Sequence, residues 1–205
     1  MKSTRDFDFS VYDQEIDSAI SFRKVTLEED LNRLHRWHHQ SHVIPFWNQN
    51  FSIDVYENHL KEILDDQHQT LYIGYLDGEP MSYWEAYWAK GDVIANYYDV
   101  EKKDQGIHLL FGPESYLGKG LALPLLRAMM VFRFEHVQTE KVVAEPDIRN
   151  KKMIHIFEQC GFKQQKEIDL PDKRGLLMSC HRDTFVRRFK NSDFIQHISN
   201  NQPHV

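Results

Sequence analysis

Apolar and polar residues alternate from Ile20 to Val25, which predicts a strand. Thr26, with Glu29 three residues on, then makes a capping box that opens a helix carrying Leu27, Leu31 and Leu34. Ile53, Tyr56, Leu60, Ile63 and Leu64 recur at helical period and predict a second helix over Ser52 to Asp66. Pro45 makes the stretch His42 to Trp47 between them a loop. Thr70 to Leu76 and Pro80 to Ala89 read as strands around a hairpin turn at Asp77-Gly78, and Ile107 to Gly112 as the next strand. An apolar helix follows from Leu121 to His136, then a short strand, Lys141 to Glu145. A helix from Asn150 to Cys160 is stopped by Gly161, and strands over Lys163 to Leu170 and Leu176 to Arg182 finish the chain's pattern. This order predicts one mixed α/β domain over residues 20–190. Residues 1–19 read as an N-terminal extension anchored by Phe7, Phe9, Val11 and Tyr12, and residues 191–205 as a flexible tail.

Composition narrows the function classes. A chain of 205 residues buries a core without staples, and Cys160 and Cys180 lie in apolar periodic stretches that suit reduced core residues of a reducing, cytoplasmic compartment. No apolar run reaches bilayer length, and Met1 is followed by Lys2, Arg5 and aspartates, not by a signal sequence. The formal charge of −6, without a basic cluster, argues against a nucleic-acid surface.

The most specific local feature is Tyr116-Leu117-Gly118-Lys119-Gly120-Leu121-Ala122, set between a predicted strand and a predicted helix. Glycines there let backbone N–H groups approach an anion, and the helix N-terminus adds unsatisfied donors and the positive end of its dipole. The spacing is neither a Walker loop nor a dinucleotide fingerprint. Pro124, in the first turn, supports a helix start near Leu121.

With these residues in place the chain resembles the GNAT superfamily, whose coenzyme A turn has the form Gln/Arg-x-x-Gly-x-Gly/Ala. Ser115 stands at the Gln/Arg place, and Phe157 stands where many members carry a tyrosine that protonates the leaving thiolate. A closer resemblance, over about residues 20–183, is to the siderophore branch of hydroxylysine acetyltransferases and lysine acyltransferases. It rests on His42-Val43-Ile44-Pro45-Phe46-Trp47, Trp84-Glu85-Ala86-Tyr87, Gly106-Ile107-His108-Leu109-Leu110, the glycine turn, and Val142 to Asn150.

The resemblance implies a GNAT fold, a mixed central sheet flanked by helices with a splayed fourth/fifth strand pair that holds acetyl-coenzyme A or another acyl-coenzyme A. Leu110, Tyr116, Leu117, Gly118, Lys119, Gly120, Leu121, Ala122 and Asn150 would bind that co-substrate. His108 and Asp147 would be catalytic, with His108 as base and Asp147 orienting it or holding the amine. His42, Phe46, Trp47, Trp84, Glu85 and Tyr87 would form the acceptor site, and no metal is implied.

Each assignment has a plainer reading. His108 among apolar neighbours suits a core histidine, Asp147 a helix cap, and the aromatic residues of an alternating strand a core. His35, His38, His39 and His42 suit a solvated helix face better than a metal site. The expected activity is direct acyl transfer to a hydroxylamine or primary amine. The rivals are an aminoglycoside 6'-N-acetyltransferase and an acyl-coenzyme A-binding module without catalysis.

Overall fold

The computed structural model describes residues 6–192. The first five residues of the expected extension, and the expected tail from 193 on, lie outside the described residues. The elements run β1 (Phe9–Asp13), β2 (Ser18–Lys24), α1 (Leu27–His38), α2 (Ile44–Trp47), α3 (Ile53–Asp65), β3 (Gln69–Leu76), β4 (Glu79–Trp88) and β5 (Gln105–Phe111). They continue with α4 (Ala122–Phe134), β6 (Lys141–Ala144), α5 (Lys151–Cys160), β7 (Lys163–Asp169), β8 (Arg174–His181) and α6 (Arg182–Arg188). The strand order is β1-β2-β3-β4-β5-β6-β8-β7, a mixed sheet of eight. By contacts the chain divides into two compact units, Met1–Glu85 with Leu109–Lys119, and Ala86–His108 with Gly120–Val205.

In the first unit β1, β2 and β3 pair antiparallel, with Phe9 opposite Phe22 and Ile20 opposite Leu76. The expected N-terminal extension contains strand β1, and of its expected anchors Phe9 and Val11 are buried whereas Tyr12 is exposed. The inward positions of β1 are Phe9, Val11 and Asp13, and the third is a fully buried aspartate that caps the Glu15 N–H, so the alternation is masked. Thr26 caps α1 as expected, accepting from the Glu29 N–H at 3.4 Å, but the reciprocal bond comes from Asp30, whose carboxylate accepts from the Thr26 N–H at 2.9 Å. Asp30 is fully buried and is paired with Arg23 and Arg33. Leu34, Trp37, Tyr56, Leu60, Leu71, Ile73 and Tyr75 form the core where α1 and α3 pack on the strands. The expected loop at 42–47 contains the single turn α2, because Pro45 falls in the first turn, where its missing N–H costs nothing.

In the second unit β5 and β6 run parallel, but their ladder holds only Gln105 opposite Val142 and Gly106 opposite Val143, and β5 continues to Phe111. These are the fourth and fifth strands of the expected fold, which β1 renumbers as β5 and β6. Helix α4 is mostly apolar and almost wholly buried, its arginines Arg127 and Arg133 included. Gly161, at φ 104°, ends α5, where only a residue without Cβ sits easily. Helix α6, which the hydrophobic pattern did not announce, is tied down by Arg182, whose guanidinium donates to the Thr139 and His136 carbonyls at 2.9 and 2.8 Å.

Candidate active site

The second unit brings together four polar side chains from four places in the sequence. His108 and Gly106 lie two apart on β5 and so share one face. A Cβ at Gly106 would lie 2.0 Å from the Tyr87 ring, so the missing side chain is what lets the β4 tyrosine cross β5. There the Tyr87 ring sits 5.0 Å from the His108 ring, and its hydroxyl donates to Glu145 Oε2 at 2.9 Å. The other oxygen of Glu145 accepts from His108 Nε2, and Lys173 Nζ lies 3.6 Å from that same oxygen. Glu145 is 5% exposed, whereas the His108 side chain is 30% exposed. The histidine therefore bridges a buried carboxylate and solvent.

These partners fix protonation. Burial alone would raise the Glu145 carboxyl, but the charge and hydrogen bond of His108, with Lys173 and the Tyr87 hydroxyl, overrule it and hold the group down to about 2. Burial and the Glu145 charge push the Tyr87 phenol well above its ordinary value, so it stays a donor. Since His108 Nε2–H donates to a carboxylate, the lone pair of the neutral ring is on Nδ1. Glu145 has a folded value below its ordinary 4.5, so its stabilisation is complete above about 4.5 and disappears as pH falls toward 2. Urea midpoints between pH 5 and 2.5 should therefore fall more steeply for the wild type than for Glu145→Gln; parallel slopes would show that Glu145 is not held ionised.

Asp147 is not on His108. Its carboxylate takes Arg149 Nη2 at 2.6 Å, Nε at 2.9 Å and the Arg149 N–H at 2.8 Å, and the hydrogen bonds of Arg149 hold it below its ordinary value. The orienting role that the resemblance implied for Asp147 is met geometrically by Glu145, two residues earlier. Asn150 uses its side-chain oxygen to cap α5, accepting from the Met153 N–H at 3.2 Å.

The glycine turn is open to solvent. Tyr116 closes a short 3₁₀ turn (Glu114–Tyr116), Leu117 to Gly120 are exposed, and Leu121 and Ala122 begin α4. Gly118 and Gly120 have φ of 71° and 75°, and nothing lies within 4 Å of where a Cβ would project. The residues present thus fit a phosphate chain: left-handed backbone, open space and a helix N-terminus. Valine at Gly120 would be strained at that φ and would fill the open space. Gly120→Val should weaken acetyl-coenzyme A binding at least ~10-fold in calorimetry while the fold survives; unchanged affinity would remove the turn from the binding site.

The first unit holds the remaining candidates. Tyr83 and Glu85 alternate onto one face of β4, and the Tyr83 hydroxyl donates to Glu85 at 2.9 Å. The Trp47 ring packs 5.7 Å from Tyr83 and 5.4 Å from His38. Phe46 is half-buried on α2. His42 Nε2–H donates to the Phe111 carbonyl at 2.8 Å, tying the segment after α1 to the end of β5. Trp84 points to the opposite face: it is fully buried, its indole N–H donates to Ser82 at 2.8 Å, and its ring packs edge-on against Phe22. This corrects its place in the acceptor site, since a side chain without exposed surface touches no substrate. The Leu110 side chain is likewise in the core, leaving only its backbone for the co-substrate.

His38 corrects the expected solvated histidine face. It is fully buried, Nδ1–H donates to the Leu34 carbonyl at 2.9 Å and lies 2.9 Å from the Tyr56 hydroxyl, and burial lowers its pKa to about 4. Its place four residues after Leu34, on the helix's inward face, was the available signal. Among the described residues no three of His, Cys, Asp and Glu converge as a metal site.

Acyl transfer from a thioester to nitrogen asks for a cradle for phosphates and for an acceptor of one proton, and the open turn and the His108–Glu145 pair have the chemistry that such a reaction would use; the class they suggest is an acyltransferase. Residues 26–170 match the acetyltransferase (GNAT) domain, and the chain belongs to that family. It is 36% identical over 174 residues to N-hydroxyputrescine acetyltransferase of Acinetobacter baumannii, covering 83% of this chain and 82% of that one. It is 50% identical to an uncharacterized Bacillus halodurans protein of known crystal structure, with a TM-score of 0.87 over 95% of this chain and 97% of the other. The aminoglycoside acetyltransferase AAC(6')-Ib, solved with coenzyme A, is 29% identical with a TM-score of 0.74, covering 82% and 98%. The protein is an acetyltransferase with an acyl-coenzyme A as co-substrate.

Proposed function

We propose that the chain transfers an acetyl group from acetyl-coenzyme A to the nitrogen of an N-hydroxyamine, a hydroxylated diamine or N6-hydroxylysine, and so makes a hydroxamate for siderophore synthesis in the cytoplasm. The observation that carries the mechanism is His108 seated on the buried Glu145 carboxylate. The acceptor nitrogen attacks the thioester carbonyl and loses one proton to His108 Nδ1. Glu145 keeps the proton of Nε2 in place and stabilises the imidazolium that forms, as a carboxylate does in any such pair. The departing thiolate takes a proton back from the imidazolium or from water. Phe157 cannot supply it, since it is 2% exposed, stacked edge-on with Phe162, and has no donor.

Transfer is direct. Burial raises both thiols, Cys180 to about 12 and Cys160 well above its ordinary value, so neither offers a thiolate for a covalent acyl-enzyme. Among the described residues no helix is long and apolar enough to cross a membrane. The similarity to the Acinetobacter enzyme favours a hydroxylated diamine over an aminoglycoside.

Coenzyme A release with an alkyl hydroxylamine, its parent diamine and kanamycin, with mass spectrometry of the products, tests the reading. The hydroxylamine should give the highest kcat/KM and an N-acetyl hydroxamate. Preference for kanamycin would make the chain an aminoglycoside enzyme, and coenzyme binding without turnover would make it a binding module.

A further inference from the structure

Two adjacent cations, Lys173 in the turn before β8 and Arg174 at the strand's first position, behave differently. Arg174 is 60% exposed and pairs at the surface with Glu167 at 2.8 Å. Lys173 is only 16% exposed at its side chain, and it turns inward to the Glu145 oxygen that His108 also holds. Lysine is seldom buried without a partner, because its ammonium is strongly hydrated and its long stem loses rotamer freedom. Something must hold it there.

The backbone does so. Leu170 N–H donates to the Lys173 carbonyl at 2.9 Å and closes the turn. On the far side of the turn the chain is laced to the segment that follows β6: Ile148 N–H donates to the Arg174 carbonyl at 3.0 Å, and Leu176 N–H to the Pro146 carbonyl at 2.9 Å. Gly175 lies so close that a Cβ there would stand 3.2 Å from the Glu145 carbonyl oxygen. Lys173 is thus delivered to Glu145 by the register of β8, not by a flexible reach.

We propose that Lys173 is a positioning residue that offsets part of the Glu145 charge and thereby keeps the His108 imidazole neutral and able to accept a proton at working pH. This rests on the reading of His108 as the base. A buried carboxylate facing an imidazole with no other cation nearby stabilises the imidazolium before the substrate arrives, and an imidazolium accepts nothing. Other charged and titratable groups of this unit also face the pair. Tyr87 from β4 is a neutral donor to Glu145, with Asp92 and Tyr98 acting on Tyr87, and Asp147 beyond the carboxylate is matched by Arg149. Lys173 Nζ meets Glu145 directly, on the oxygen that His108 also holds, and its charge also reaches Asp147. Removing it leaves the carboxylate to act on His108 alone, so the imidazole should hold its proton to higher pH.

The test is an isotope-edited NMR titration of the imidazoles, with the His108 signal identified by its loss in His108→Gln, which the twelve histidines of the chain require. In Lys173→Met the His108 midpoint should rise by about one pH unit, the lower end of what a nearby charge does, and in Lys173→Arg it should stay near the wild-type value. Lys173→Gln separates charge from hydrogen bonding, because it keeps a donor without the cation. Its midpoint should follow Lys173→Met; a midpoint that follows the wild type, or no rise in folded Lys173→Met, overturns the proposal. The base reading fails separately, if His108→Ala retains wild-type kcat while the midpoint shift in Lys173→Met persists.

Discussion

His108→Ala should lower kcat roughly 10²-fold or more on a primary alkylamine, and by less on the matching hydroxylamine. An alkylammonium has a pKa of about 10.4, so almost all of it is protonated at neutral pH and attack needs a group that removes protons. An N-hydroxyamine is far less basic and arrives largely neutral, so the enzyme has one proton to manage, and only as the bond forms. The KM for acetyl-coenzyme A should move little, because the coenzyme is assigned to the turn at Gly118 and Gly120 and not to this ring. Steady-state kinetics on both acceptors, with circular dichroism as a check on folding, measure this. A folded variant with wild-type kcat on both would leave His108 as a packed histidine.

Glu145→Gln should be nearly as damaging, with kcat down by roughly 10²-fold, although the volume is unchanged and Tyr87 keeps an acceptor. The carboxylate takes two donors at once, the Tyr87 hydroxyl on one oxygen and His108 on the other. An amide whose oxygen stays with Tyr87 turns its NH₂ toward His108, and Nε2 must then accept. The ring proton moves to Nδ1, which is where the base is needed, so the variant carries the wrong tautomer. Asp147→Asn is the control. Asp147 is committed to Arg149, which is 66% exposed, and its loss should change kcat less than ~10-fold. The reverse ranking of the two variants would return the orienting role to Asp147.

The hairpin at Asp77-Gly78, the cap at Thr26 and the start of α4 near Pro124 were legible in the sequence because each depends on chemistry within a few residues. Strand β1 was hidden because Asp13 occupies an inward position, and α2 because a proline was read as a break when it sits in a first turn. Trp84 could have been placed from parity alone: on a strand it faces away from Tyr83, Glu85 and Tyr87, so it cannot share their surface. Glu145 was visible only as the end of a strand. Its partner is 37 residues away, and nothing local says that the β6 end meets the middle of β5. Lys173 falls between two expected strands, and nothing local shows its burial, which depends on the register between β8 and the segment after β6.

If the reaction runs through His108, Glu145 acts only by way of it. A double-mutant cycle of His108→Ala and Glu145→Gln, read as kcat on the hydroxylamine, tests this most directly. Once the imidazole is gone the carboxylate has nothing to orient, so the double variant should be no slower than His108→Ala alone. Losses that multiply, each variant lowering the rate by its full factor in the other's background, would contradict it and make the two residues independent.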